Sequence, residues 1–187
     1  MKKTLFSLAL VAMFSVGAAT TVSAQATKTV MVGGAPMYPT KNIVENAVNS
    51  KDHTTLVAAV KAAGLVETLQ SAGPFTVFAP TNAAFNKLPA GTVETLVKPE
   101  NKATLTKILT YHVVAGRMTA ADLMKAIKAG KGTATLKTVS GGTLTAMAKG
   151  KTIELKDEKG GVSTVTIADV LQSNGVIHVV NTVLMPN

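Results

Sequence analysis

The 187-residue sequence contains no cysteine and no tryptophan, and only one of its 19 basic residues is an arginine. Without cysteine the chain forms no disulfide, offers no thiolate to zinc and carries no attachment point for a lipid anchor. With Arg117 as the sole guanidinium, bidentate recognition of phosphate is scarcely available, so we expect no binding of nucleic acid. The fold must therefore be held together by its core alone.

An apolar stretch opens the sequence. Residues 5–19 are almost all apolar or small, and they follow Lys2 and Lys3. Small residues at 22–24 have the form of a signal peptidase site, and the apolar run is too short to span a bilayer. We therefore predict a signal peptide over residues 1–24 and a mature chain that is secreted or periplasmic and does not span a membrane.

The charge of the predicted mature chain is strongly positive. Removing 24 residues leaves 163, the size of one domain. These include 17 basic and 10 acidic residues, a net charge of +7. A solvated lysine-rich surface is the simplest explanation, and such a surface attracts acidic polymers. From charge we expect attraction to acidic polysaccharide or other cell-surface polymers, and weak homo-oligomer formation is left open.

The periodicity of apolar residues changes along the chain. Helical spacing recurs between residues 41 and 129, and a period of two follows from residue 131. Turn residues separate the later runs, which predicts an antiparallel meander. Strands are predicted at residues 75–79, 133–139, 143–148, 152–156, 162–167 and 176–185. Helices first and strands last favour an α+β fold, preceded by an extended leader over the glycine- and proline-containing residues 25–40.

Three local patterns refine this assignment. Thr119 and Asp122 have the spacing of a capping box, and Thr92 is predicted to cap a short helix. The run YHVV at residues 111–114 is predicted to be a strand because it is aromatic and β-branched.

A seventeen-residue segment, GPFTVFAPTNAAFNKLP, combines a strand, a turn and a helix. Phe75 and Phe78 belong to a strand with apolar groups on both faces, which predicts a position inside a sheet. Pro80 keeps the preceding residue extended, and Thr81 is placed to cap a short helix that carries Phe85.

This segment, residues 73–89, resembles the first signature of the fasciclin-like domain family. Residues 173–186, SNGVIHVVNTVLMP, resemble the second signature, and YHVV lies between the two. The resemblance implies a fasciclin-like domain over residues 41–187, with an antiparallel β-strand wedge or sandwich flanked by several short α-helices. It further implies cell adhesion or association with proteins or matrix, without catalysis or a cofactor. The second signature usually has aspartate where this chain has Asn181, whose amide can still satisfy nearby backbone groups.

The resemblance also implies roles for individual residues. In animal members of the family, the matching Tyr-His pair and nearby branched aliphatics are linked to receptor binding. The residues predicted on this basis to contact a partner are Ile108, Leu109, Tyr111 and His112. The residues predicted to hold the signature motifs together are Phe75, Phe78, Thr81, Asn82, Phe85, His178 and Asn181.

Three histidines are the only candidates for acid–base chemistry near neutral pH. His53 lies among polar residues and is expected to be solvated, whereas His178 lies in an apolar strand and is expected in a buried structural network. No metal-ligand spacing and no G-x-S-x-G nucleophile motif accompanies them, so we predict no metal site and no catalytic residue. Two alternatives remain. One is a hydrolase that uses His112 or His178 as its base. The other is a carrier of a small apolar ligand such as a lipid or carotenoid, although the sequence has only two tyrosines and five phenylalanines with which to hold such a ligand.

Overall fold

A computed structural model describes residues 29–187, so the predicted signal peptide lies outside the described residues. The helices are α1 (Ile43–Ala47), α2 (Thr54–Ala63), α3 (Val66–Gln70), α4 (Asn82–Phe85), α5 (Thr92–Leu96), α6 (Lys102–Tyr111) and α7 (Ala120–Ala129). The strands are β1 (Val30–Val32), β2 (Ala35–Met37), β3 (Phe75–Pro80), β4 (Val113–Ala115), β5 (Thr133–Lys137), β6 (Thr143–Lys149), β7 (Thr152–Lys156), β8 (Val162–Gln172) and β9 (Gly175–Val180). None of the helices in residues 29–187 has the length and apolar content needed to cross a bilayer.

Strands β3 to β9 form one seven-stranded sheet in the order β4-β3-β9-β8-β7-β6-β5. The predicted α+β fold and the antiparallel meander from β5 to β9 are confirmed. One pairing differs, because β3 and β9 run parallel, with Phe75 opposite Gly175 and Pro80 opposite Val180. The sheet is therefore mixed, and the two signature segments are neighbours at its centre.

The sheet curls until its two edge strands meet at one end. Val114 of β4 forms an isolated antiparallel bridge with Thr138, which follows β5. Beside it, the Val139 N–H donates to the Val113 carbonyl at 2.8 Å. Beyond this bridge the edges diverge, and α7 packs against β5, β6 and β7. The sheet therefore has the shape of a wedge with a helix over it.

Two apolar cores lie on the two faces of β3 and β9. Val77 and Ile177 join the core under helices α1 to α6. Phe78 and Val180 join the second core, inside the wedge, together with Leu123 of α7. Burial on both faces explains why these strands lack an apolar-polar alternation in the sequence.

The leader is more structured than the sequence suggests. Within residues 25–40, β1 and β2 form a hairpin around Gly33 and Gly34, which have φ values of 57° and 77°. A two-residue hairpin turn needs this conformation, which glycine adopts without strain. Val32 and Met37 are buried in the first core. Three-residue strands are too short to show a period, so the sequence pattern could not reveal them.

Several predicted boundaries are corrected. The capping box at Thr119 and Asp122 is present, but Thr92 is the first residue of α5 and makes no side-chain cap. Tyr111 ends α6 and His112 follows as its C-cap, so only the last part of YHVV is strand. Strand β9 ends at Val180, where the sequence suggested residue 185.

Candidate functional site

His178 is fully buried beside the first signature. Its ring stacks on Phe78 with centroids 5.7 Å apart. Nε2 lies 2.8 Å from the Met118 carbonyl and Nδ1 accepts the Asp169 N–H at 3.4 Å, so Nε2 carries the proton. Burial lowers the pKa of this imidazole and keeps it neutral. The ring therefore connects β8, β9 and the segment before α7, and both of its nitrogens are occupied.

His112 is also buried and bonded at both nitrogens. Nδ1 lies 2.8 Å from the Ile108 carbonyl, and Nε2 accepts the Leu184 N–H at 3.0 Å. Burial lowers its pKa to about 4. Neither His112 nor His178 has a free nitrogen to serve as a general base. In residues 29–187, no group of three or more histidine, aspartate or glutamate side chains is arranged to hold a metal ion.

The residues expected to contact a partner lie in the interior. Ile108, Leu109, Tyr111 and His112 are all buried, Tyr111 completely. The Tyr111 hydroxyl donates to the Thr143 carbonyl at 2.6 Å and accepts the Glu158 N–H at 3.2 Å. Burial raises the pKa of Tyr111 to about 12. The predicted contact surface is corrected accordingly, because a partner cannot reach these side chains in this fold.

Polar residues of the first signature bond to the backbone. The Thr81 hydroxyl accepts the Ala84 N–H at 3.3 Å and caps α4, as predicted. The Asn82 side chain accepts the Thr55 N–H at 3.0 Å and donates to the Lys51 carbonyl at 2.8 Å. Because α2 has no cap of its own, Asn82 satisfies one of its free amides from a distant part of the chain.

The remaining signature residues have comparable structural surroundings. The Asn181 side chain accepts the Thr164 N–H at 2.9 Å, so the amide that replaces the usual aspartate bonds the neighbouring strand. Phe85 is buried in the first core, and Phe75 is half-buried at the start of β3.

Sequence reasoning missed Asn174, whose amide joins three segments. It accepts the Ile43 N–H at 3.0 Å and donates to the carbonyls of Leu69 and Ser71 at 2.8 and 2.9 Å. Asn174 stands in an Asn-Gly pair, which indicates only a turn. A second missed pair is Asn46 and Gln172, whose buried amides bond each other 126 positions apart in the chain.

His53 is buried, contrary to the expectation that it is solvated. Its Nδ1 lies 2.9 Å from the Ser50 hydroxyl, and its Nε2 has no hydrogen-bond partner among the described residues. Burial lowers its pKa. His53 lines an apolar cavity of about 80 Å³ between the first three helices and the sheet, whose walls include Met37 and Ile177.

Half of the carboxylates accept hydrogen bonds from the backbone. Five of the ten acidic residues accept backbone N–H groups, and these are Glu45, Asp122, Asp157, Glu158 and Asp169. Hydrogen bonds lower the pKa of Asp122, first from the Thr119 hydroxyl, and the pKa of Glu158, first from the Thr143 N–H. The one ion pair within residues 29–187 joins Lys149 and Glu154 at 2.9 Å. The lysines therefore form an excess of unpaired surface charge.

Comparisons with known proteins converge on one family. The family model for the Fasciclin domain matches residues 51–186. Protein sll1483 of Synechocystis is 48% identical over 161 residues, covering 85% of this chain and 81% of that protein. Immunogenic protein MPB70 of Mycobacterium bovis is 38% identical, covering 75% of this chain and 66% of its own length. A solved structure of a fasciclin domain pair from the insect cell adhesion molecule Fasciclin I superposes with a TM-score of 0.68 at 18% identity, covering 78% of this chain and 51% of the insect chain.

Proposed function

Because the chain belongs to the Fasciclin domain family, we propose that it is an exported, non-catalytic module that mediates adhesion by binding acidic partners. The partners are proteins or acidic polysaccharides at a cell surface or in a matrix. One related fold belongs to an insect cell adhesion molecule, which supports an adhesive role. The buried, fully bonded imidazoles of His112 and His178 speak against the alternative of a hydrolase.

The unpaired lysines are the observation that carries this proposal. Intramolecular ion pairs would neutralise a basic surface, but half of the acidic side chains here bond to backbone amides, and one ion pair is formed among the described residues. Sixteen cations lie within the described residues, and one of them, Lys149, pairs with a carboxylate there. An acidic polymer can therefore approach without displacing internal ion pairs.

Binding to a polyuronate such as alginate, with neutral dextran as control, tests the proposal. We expect retention on alginate at low salt that weakens as salt rises, because screening acts on exposed charges. Lys151, Lys156 and Lys159 are exposed, and none of them forms an ion pair among the described residues. Exchanging these three lysines for glutamine should weaken retention, and exchanging them for arginine should preserve it. Equal behaviour on alginate and dextran at low salt would contradict the proposal.

Export has its own test. We expect the signal peptide to be removed after Ala24, so that N-terminal sequencing of the protein from its native source begins at Gln25. A mature protein that still begins at Met1 would contradict export by this route.

The carrier alternative depends on the cavity beside His53. Its volume of about 80 Å³ is smaller than the roughly 150 Å³ that hold one benzene molecule, so neither a lipid chain nor a carotenoid fits it. Organic extraction of protein purified from its source tests this alternative, since a carrier would release a defined apolar compound.

A further inference from the structure

The turn between β8 and β9 contains an Asn-Gly pair, in which Asn174 precedes β9 and Gly175 is its first residue. Asparagine deamidates most readily before glycine, because glycine has no side chain to hinder attack by its backbone nitrogen. In this reaction the Gly175 nitrogen attacks Cγ of Asn174 and forms an N–Cγ bond. The Cγ–Nδ2 bond breaks, and ammonia leaves with the proton that the Gly175 nitrogen gives up. The product is a cyclic imide.

Water then opens the imide at either of its carbonyl groups. Addition of water at Cγ yields aspartate at residue 174. Addition at the main-chain carbonyl of the same residue yields isoaspartate, in which the backbone runs through Cγ and is longer by a methylene group. Both products carry a carboxylate where the native chain has an amide, and water is the only co-reactant.

In the folded protein, the Asn174 side chain is held by segments outside the sheet. Oδ1 accepts the Ile43 N–H at 3.0 Å. Nδ2, the leaving group of the reaction, donates to the carbonyls of Leu69 and Ser71 at 2.8 and 2.9 Å. Release of Nδ2 as ammonia would break both of these bonds at a residue that is only 6% exposed. The native contacts therefore oppose the reaction.

The backbone beside the reacting bond is fixed as well. The Phe75 N–H donates to the Asn174 carbonyl at 3.0 Å. Gly175 is buried and lies opposite Phe75 of β3 on one side and Gln172 of β8 on the other. Closure of the imide needs rotation about this part of the backbone, and its hydrolysis needs water. We therefore expect deamidation to require opening of the centre of the sheet.

Neither product of the reaction fits the position of the amide. A carboxylate at residue 174 has no proton to donate to the Leu69 and Ser71 carbonyls, so a buried charge would face two acceptors. Isoaspartate would place its extra methylene beside Gly175, where even a single added Cβ would overlap the Phe75 carbonyl. A chain that is modified while it is open cannot restore the native contacts.

We propose that Asn174 is a deamidation site that the native fold shields and that opening of the central sheet exposes, so that modification makes unfolding irreversible. The rate of deamidation at Asn174 follows the fraction of molecules that are open at a given moment. A molecule that stays folded keeps its amide, whereas a molecule that opens often or for long loses its ability to refold.

Peptide mass spectrometry of the wild-type protein tests the shielding, after incubation in mildly alkaline buffer with and without enough urea to unfold the chain. Asn49 is the internal reference, because it is exposed in the folded protein and precedes another small residue, Ser50. We expect urea to raise the rate at Asn174 at least about tenfold more than the rate at Asn49. A ratio of the two rates that is the same with and without urea would overturn the proposal.

Refolding of the wild-type protein tests the consequence. Protein that has been incubated in urea for increasing times is returned to native buffer, and folded and unfolded molecules are separated by size-exclusion chromatography. We expect aspartate and isoaspartate at residue 174 to be at least about tenfold enriched among the unfolded molecules. Modification at exposed Asn49 should be distributed equally between the two fractions. An equal distribution of modified residue 174 as well would overturn the proposal.

Asn174→Asp introduces one product of the reaction directly, and Asn174→Ala is its matched control. Both variants lack the amide, but only the aspartate buries a charge. We expect Asn174→Asp to unfold at a lower urea concentration than Asn174→Ala near neutral pH, or to fail to fold. An Asn174→Asp variant as stable as the wild type would overturn the proposal. The two measurements on wild-type protein do not depend on whether the variants fold.

Discussion

Protonation of His112 should break the contact that holds the C-terminal segment to α6. In the neutral ring, Nδ1–H donates to the Ile108 carbonyl and Nε2 accepts the Leu184 N–H. A proton on Nε2 would face that N–H, so two donors would meet and a charge would be buried. His112→Gln offers an amide that donates and accepts but takes up no proton, and it should make stability less sensitive to acid.

The size of this effect follows from the shift of the His112 pKa from an ordinary 6.5 to about 4. The native state binds fewer protons than the unfolded state between these values, so stability is fully present above pH 6.5 and is lost as pH falls. The whole shift corresponds to about 3 kcal/mol, of which about 2 kcal/mol is lost by about pH 5. Burial also lowers the pKa of His53 and of His178, which adds to the loss in the same direction.

Urea unfolding followed by circular dichroism measures this loss between about pH 7.5 and about pH 5. The pKa values of Asp122 and Glu158 are held below their usual range, so these carboxylates contribute little in this window. We expect His112→Gln to lose about 2 kcal/mol less unfolding free energy than the wild type over the same window. Parallel curves for the two proteins would refute the assignment of this proton to His112.

Three further predictions concern the sheet and its polar contacts. Gly175→Ala should cost about 3 kcal/mol or prevent folding, because the added Cβ overlaps the Phe75 carbonyl of the paired strand; an unchanged melting temperature would contradict the parallel pairing. Asn174→Ala should cost about 2 to 4 kcal/mol in urea unfolding because it removes three hydrogen bonds, and a loss below about 0.5 kcal/mol would refute its joining role. Tyr111→Phe should cost about 1 to 2 kcal/mol by losing the bond to Thr143, and in the wild type the Tyr111 phenol should ionise only near pH 12; ultraviolet titration that finds it ionised well below that pH would contradict its burial.

Local patterns predicted most of the elements but not their partners. Periodicity located the later strands because antiparallel neighbours are joined by short turns that leave a signal in the sequence. No such signal links β3 to β9, which lie about a hundred positions apart and pair in parallel. Which strands become neighbours in the sheet depends on contacts between distant residues, and a single sequence does not display these contacts.

Burial of polar side chains was harder to predict than secondary structure. His53 has polar neighbours in the sequence, yet it lines a cavity whose walls include Met37 of the leader hairpin. Tyr111 and His112 resemble the start of a strand, but α6 continues through the first of them and its end turns both side chains inward. These positions were decided by tertiary packing, which overrides local propensity.

The parallel pairing of β3 with β9 at the centre of the sheet also determines when the sheet can form. Phe75 leaves the ribosome a hundred residues before Gly175, the residue it must lie beside. Until then β3 is paired with β4 alone. The entropy cost of closing so long a loop must be met before the contact between β3 and β9 stabilises the fold. The central sheet therefore stays incomplete until residues 175–180, near the end of the chain, have been made.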